Sequence, residues 1–320
     1  MATLKLTPKL REKAHTRIAA PDFASDLDLT KEELLDLLDL AVAMKRNPAR
    51  YARALSGRYL SLLFEKPSLR TRMTFELAIK QLGGDAVVNN GRIGDREPLK
   101  DIARNLDRWT HAIVARTFLQ STIEELAHWS SVPVINALSD RFHPCQALAD
   151  ILTLQEQFGE LKGRKMAFVG DGNNVAHSLM LCATRLGMDF ALATPIGYDA
   201  DAGIVAQAEG LAAVSGSHFE VTHDAAVAVR GAHAVYTDVW ASMGQESEAG
   251  ARASAFQPFQ VNAALMALAR PDAIFLHCLP AKRGQEVTDE VIESRASVVF
   301  DQAENRLHAQ KALLLMLLSE

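Results

Sequence analysis

The chain has 320 residues but only three cysteines, Cys145, Cys182 and Cys278, and no CxxC pair. That excludes a disulfide framework, argues against a structural zinc site and fits a reducing compartment. No stretch approaches the roughly 18 apolar residues of a membrane span, and Met1-Ala2-Thr3-Leu4-Lys5 opens without the apolar core of a signal peptide. Basic blocks are missing too. Lys and Arg are scattered under a formal net charge of -5, so the electrostatic footprint of nucleic-acid binding is absent. These absences predict a soluble, cytoplasmic protein with neither nucleic acid nor membrane as a partner. What is present, 48% hydrophobic and 23% charged residues, is ordinary globular material in a length that suits two domains better than one.

Thr30 and Glu33 form a capping box ahead of an amphipathic helix rich in leucine. Strand and helix signals then alternate. Strands at Tyr59–Phe64, Asp85–Val88, Ala112–Ala115 and Val132–Ile135 are separated by helices at Leu69–Leu82, Leu99–Trp109 and Ile123–Trp129. A helix over Gln146–Phe158 leads to a second series, with strands at Lys165–Val169, Phe190–Ala193, Phe219–Val221, Ala234–Thr237, Ala273–Leu276 and Val298–Phe300. Such alternation predicts βαβ units: an α/β fold of two domains, each with a central parallel sheet flanked by helices, joined by interdomain helices. The boundaries fall at 1–150 and 151–304, with a last helix at 305–320 whose wide apolar stripe suits packing back onto the first domain. Gly244 to Ala255, rich in Glu, Ser, Ala and Gly, reads as a mobile loop.

Chemistry-bearing residues gather where strands end, the place where ligands of open α/β sheets bind. Ser68-Leu69-Arg70-Thr71-Arg72 joins a strand to a helix, so first-turn N–H groups, two hydroxyls and guanidinium groups make an anion site, against the plainer reading of a Ser-capped helix with exposed arginines. Arg116 follows the strand Ala112–Ala115 and adds a cation at the same edge. His143-Pro144-Cys145-Gln146 opens the bridging helix, where His143 as donor and Gln146 as amide acceptor suit a carbamoyl unit, against the plainer reading of His143 as a cap; Cys145 reads as packing. Gly170-Asp171-Gly172-Asn173-Asn174 resembles a dinucleotide turn but lacks the full GxGxxG and the acidic residue for a ribose, and the same geometry can present Asn174 to a small polar ligand. Asp238, closing the strand Ala234–Thr237 ahead of Ser242, Met243 and Gly244, can bind an ammonium group or serve as an N-cap. His277-Cys278-Leu279-Pro280 sets a thiol beside an imidazole at another strand end, either for chemistry or as core packing, and Arg306 supplies a further cation near the start of the last helix.

Taken together, SLRTR, Arg116, HPCQ, GDGNN, DVWASMG, HCLP and DQAENR follow one another in the order and approximate spacing of the ornithine carbamoyltransferases, which the whole chain resembles. Within the wider family, the phosphate loop and HPxQ are shared with aspartate carbamoyltransferases, while the SMG loop and HCLP point to ornithine. The resemblance implies a first domain that binds carbamoyl phosphate through Ser68, the Leu69 backbone, Arg70, Thr71 and Arg116, with His143, Gln146 and Arg306 around the carbamoyl group. It implies a second domain that holds ornithine by Asn174, Asp238, Ser242 and the Met243 backbone, with Cys278 and the Leu279 backbone beside the reacting centre. Arg92 aligns with a family residue that can reach a neighbouring subunit's site, and a homotrimer or a multiple of it is implied. Where the family usually has Thr, this chain has Leu69, which keeps the backbone N–H and loses one hydroxyl. The SLRTR form also occurs in acetylornithine and succinylornithine relatives, which lack the SMG loop.

The implied reaction is a step of arginine metabolism: attack of the neutral δ-amine of L-ornithine on carbamoyl phosphate, giving citrulline and phosphate. It calls for no metal and no organic cofactor. Arg70, His143, Cys278 and Arg306 are the catalytic candidates, Cys278 either accepting or orienting the amine proton. Carbamoyltransferases for N-acetylornithine or putrescine are the alternatives, and a nucleotide-dependent dehydrogenase resting on GDGNN alone is a remote one.

Overall fold

The computed structural model describes residues 17–241 and 248–319. The Thr30 box forms as its spacing predicts: Glu33 N–H donates to Thr30 Oγ1 at 3.1 Å and Thr30 N–H to Glu33 Oε2 at 2.8 Å, opening α1 (Lys31–Arg46). The first sheet contains β1 (Tyr59–Phe64), β2 (Asp85–Asn90), β3 (Ala112–Arg116) and β4 (Val134–Leu138). All its strands are parallel, in the order β2-β1-β3-β4, and they are connected through α2 (Leu69–Gln81), α3 (Leu99–Leu106) and α4 (Gln120–Trp129). β3 is buried along its whole length, as a central parallel strand must be when helices cover both faces.

The bridging helix α5 (Pro144–Phe158) leads to a second parallel sheet made of β5 (Lys165–Val169), β6 (Asp189–Ala193), β7 (Phe219–Thr222), β8 (Ala234–Thr237) and β9 (Ile274–His277). Its order is β7-β6-β5-β8-β9. Around it lie α6 (Asn174–Arg185), α7 (Ala202–Ser215), α8 (Ala225–Val229), α9 (Ala249–Phe256), α10 (Ala263–Met266), α11 (Asp289–Ile292) and α12 (Val299–Leu318). The fold is two α/β units, each a parallel sheet between helices.

Three expectations are corrected. Val298–Phe300 is no strand: Val299 opens α12, and sheet pairing there is one bridge between Phe275 and Ser297. A short apolar run of Val-Val-Phe does not distinguish strand from buried helix by periodicity. Within Gly244–Ala255 the described part, from Glu248, leads into α9 rather than a loop, while 244–247 lies outside the described residues. β4 begins two residues later than the Val132 start and runs on to Leu138.

α12 packs on α5, α1 and α2, burying Leu313, Leu314 and Leu317. A second tie between the units runs along one face of α6, where residues three or four apart point the same way. Asn174 Nδ2 donates to Ser139 O at 2.6 Å, His177 Nδ1 lies 2.9 Å from Arg141 O, and His143 N–H donates to Ser178 Oγ at 3.0 Å. Ser178 Oγ in turn donates to Asp26 Oδ2, and Arg185 Nη1 donates to Asp26 O at 2.6 Å. Burial pushes the Asp26 carboxyl up to about 6 despite the donors around it.

Candidate active site

In the first sheet β1 connects outward to β2 and β3 connects the other way to β4, so the chain reverses direction between β1 and β3. In the second, β5 leads to β6 and β8 to β9, so the reversal falls between β5 and β8. Such switch points leave a crevice at the carboxyl ends of the strands. Residues following both of them line a single cleft of about 1120 Å³ between the two units.

On the first side Phe64 and Arg116 are register partners at the ends of β1 and β3. Ser68 is the N-cap of α2, yet its side chain makes no hydrogen bond to the helix, unlike Thr30 on α1. The Ser68 side chain, Arg70, Thr71 and the orphan amides of the first turn therefore meet the cleft together. Arg116 is buried with its Nε unpartnered, and burial, with Arg306 beside it, pushes its guanidinium down to about 10. Arg306 comes from α12; its Nη1 donates to Gln146 Oε1 at 2.8 Å, its Nη2 to Thr71 Oγ1, and its Nε is unpartnered. His143 is buried with a free Nδ1, and burial together with Arg306 and Arg116 holds its imidazole well below the usual range, hence neutral. This is a pocket of positive charge that its own chain does not compensate.

On the second side Asn173 caps α6, its Oδ1 accepting from Val175 N at 3.0 Å and Ala176 N at 3.1 Å. Its Nδ2 donates to Asp238 Oδ2 at 3.0 Å, and Cys278 Sγ donates to Asp238 Oδ1 at 3.0 Å. Burial, then the Asp238 carboxylate, pushes the Cys278 thiol well above its usual range, so it is a donor here and not a thiolate. His277 holds the turn that follows it: Leu279 N–H donates to His277 Nδ1 at 2.9 Å, while His277 Nε2 lies 3.2 Å from buried Glu286 Oε1. Leu279 takes a left-handed φ of 57°, a conformation these contacts secure. Asp238, His277 and Cys278 bring metal-ligand atoms within 4.8 Å of one another, but both ring nitrogens of His277 are already engaged.

Most of the expected residues meet in the cleft: Ser68, Leu69, Arg70, Thr71, Arg116, His143 and Arg306 on one side, Asn174, Asp238, Cys278 and Leu279 on the other. Leu69 is 70% exposed there. Gln146 differs. It is fully buried behind Arg306 and absent from the cleft wall, with its amide held between Arg306 and Asp150, because α5 turns it into the core. Asn174 lines the cleft, but its amide NH₂ bonds to Ser139 across the seam. Arg92 lies over the Phe118 ring at 5.5 Å, and it is the ring that lines the cleft. Ser242 and Met243 lie outside the described residues. Cys145 is buried, its thiol donating to Asn136 O at 3.3 Å. Gly172 of the dinucleotide-like turn has a packing reason of its own: a Cβ there would come within 2.2 Å of Ala200 N, so only glycine lets the two backbones meet. Sequence reasoning missed Asn173, Asp150 and the buried Arg252–Asp171 pair at 2.9 Å. An acid four residues after Gln146, inside the apolar stretch Ala147–Leu152, was the available signal for Asp150.

The profile of the aspartate/ornithine carbamoyltransferase carbamoyl-P binding domain matches residues 21–156, and that of the Asp/Orn binding domain matches residues 162–317. The chain belongs to the aspartate/ornithine carbamoyltransferase family. It is a carbamoyltransferase. An ornithine carbamoyltransferase of Listeria monocytogenes is 50% identical over 309 residues, covering 95% of this chain and 98% of the relative. One from Pyrococcus abyssi is 52% identical over 296 residues, 91% of this chain and 93% of its own. The solved ornithine carbamoyltransferase of Pyrococcus furiosus superposes with a TM-score of 0.92 at 50% identity, covering 95% and 98% of the two chains. An acetylornithine transcarbamylase in complex with acetylcitrulline shares the family fold at a TM-score of 0.85 with 35% identity, over 93% of this chain and 99% of its own.

Proposed function

We propose that the protein transfers the carbamoyl group of carbamoyl phosphate to the δ-amine of L-ornithine, giving L-citrulline and phosphate. The observation that carries this reading is the pairing in one cleft of an uncompensated cationic pocket, Arg116 and Arg306 beside neutral His143, with the Asp238–Cys278 pair. The phosphate sits on the first-turn amides of α2, Ser68, Thr71, Arg70 and Arg116; Leu69 contributes its N–H. His143 and Arg306 stabilise the charge that develops on the carbamoyl oxygen. Asp238 takes the α-ammonium of ornithine, joined by Asn174, Ser242 and the Met243 backbone as the family resemblance implies. Neutralising the Asp238 charge removes one of the causes holding the Cys278 thiol protonated, so ornithine itself tunes the sulfur that meets its δ-amine. The δ-nitrogen then bonds to the carbamoyl carbon, the carbon–oxygen bond to phosphate breaks, and the amine proton leaves with phosphate or solvent.

Family resemblance also supports a cytoplasmic homotrimer or a multiple of it, which sedimentation velocity tests. A colorimetric assay for ureido products tests the reaction. Ornithine is expected to be carbamoylated at least a hundredfold faster than N-acetylornithine, putrescine or aspartate, and a preference for any of those overturns the assignment.

A further inference from the structure

Asp150 lies one turn after Gln146 on α5, and it is fully buried, as are Leu148, Ile151 and Leu154 of the same helix. A single oxygen, Oδ1, accepts from Gln146 Nε2 at 2.7 Å and from Gln302 Nε2 at 2.6 Å. The far ends of the two amides do parallel work. Gln146 Oε1 accepts from Arg306 Nη1 at 2.8 Å, and Gln302 Oε1 accepts from His277 N–H at 2.9 Å, one residue before Cys278. Oδ1 accepts from both amides whether or not Oδ2 carries a proton, and a guanidinium or backbone N–H can only donate, so each amide is sandwiched in one polarity. Tyr236, whose hydroxyl lies 3.2 Å from Gln302 Nε2, completes the cluster.

We infer that Asp150 is a positioning residue: by orienting two amides at once it aims Arg306 from one side of the cleft and fixes the strand end bearing Cys278 from the other. Remove the acceptor and either amide can turn over, setting its NH₂ against a guanidinium or a backbone N–H. The anion site then keeps Ser68, Thr71, Arg70 and Arg116, while the groups that meet the carbamoyl carbon and the amine lose their register. Chemistry therefore suffers more than anion binding.

The inference rests on the carbamoyl transfer proposed above, and paired substitutions test it. Asp150→Leu fills the space but accepts nothing; Asp150→Asn keeps an oxygen that can serve both amides. Citrulline formation at saturating substrates is expected to fall at least thirtyfold in Asp150→Leu and to return to within fivefold of wild type in Asp150→Asn. Calorimetry with inorganic phosphate should give affinities within threefold across all three proteins. Equal turnover in the two variants, or a parallel loss of phosphate affinity and turnover, overturns the inference, because a residue needed only for packing gives those results. If Asp150→Leu does not fold, Asp150→Ser takes its place in the comparison; failure of both to fold makes the role structural and overturns the inference as well. A wild-type protein that forms no citrulline breaks the functional reading instead, which keeps the two failures apart.

Discussion

At the end of β3, Arg116 lies buried beside Arg306 with its Nε unpaired, whereas at the end of β8 each oxygen of Asp238 already accepts a hydrogen bond, from Cys278 and from Asn173. The first switch point stores unbalanced charge, which costs the empty fold stability and returns it when an anion arrives. The second is internally satisfied, so an incoming ammonium replaces existing partners and gains less per contact. The asymmetry suits ordered binding: the charged pocket draws carbamoyl phosphate first, and the amine enters a cleft whose first half is then neutralised.

Replacing Arg116 by Met attacks the contrast most directly. Loss of two charge-assisted hydrogen bonds to phosphate should cost about 3 kcal/mol or more, over a hundredfold in carbamoyl phosphate affinity by calorimetry. Holding this arginine down to about 10 means that its charge opposes folding at neutral pH, so the melting temperature of the empty variant should rise. A variant that binds like wild type, or melts lower with binding lost, breaks the comparison.

The seam between the halves gives the next effect in size. Asp26 titrates near 6 when folded against 3.8 as the unperturbed value, so the folded state binds more protons between those limits, and stability falls as pH rises from about 4 to about 6. Above that window the ionised carboxylate costs roughly 3 kcal/mol. Asp26→Asn should therefore gain stability relative to wild type between pH 5 and pH 8, in denaturant melts at both values. A difference that is flat with pH sinks the assignment.

Cys278→Ser is the mildest change, because a hydroxyl still donates to Asp238. Carbamoyl phosphate affinity should stay within threefold and turnover fall about tenfold, with a changed pH–rate profile, since the two groups differ widely in acidity. Wild-type kinetics in the serine protein would remove the sulfur from the mechanism and leave the second half a simple ammonium clamp.

Much of this was legible in the sequence because strand ends, helix starts and the charges placed on them are local features. The Ser68 turn, Arg116, His143, Asp238 and Cys278 could each be placed by reading only a few neighbours. What could not be read were choices made by partners distant in sequence. Whether Asn173 or Asn174 meets Asp238 depends on which way the first turn of α6 faces, and Gln146 lies behind Arg306 because α12 arrives from 160 residues away. Ala249–Phe256 was misread because Ala, Gly and Ser carry no hydrophobic period, while its anchor, Arg252 on Asp171 and Trp240 O, lies in other segments.

The position of α12 also bears on how the chain is made. The unit that emerges first from a ribosome lacks the apolar stripe that covers α1, α2 and α5, and it lacks Arg306, until α12 has left the exit tunnel. A nascent chain ending at Phe158 thus has its sheet but neither the lid of its core nor its full set of cations. The second unit folds within one continuous stretch, so the order of completion reverses the order of synthesis. A chain stopped before α12 therefore carries the phosphate-facing residues of the first unit on an uncovered core, without the guanidinium that meets the carbamoyl group.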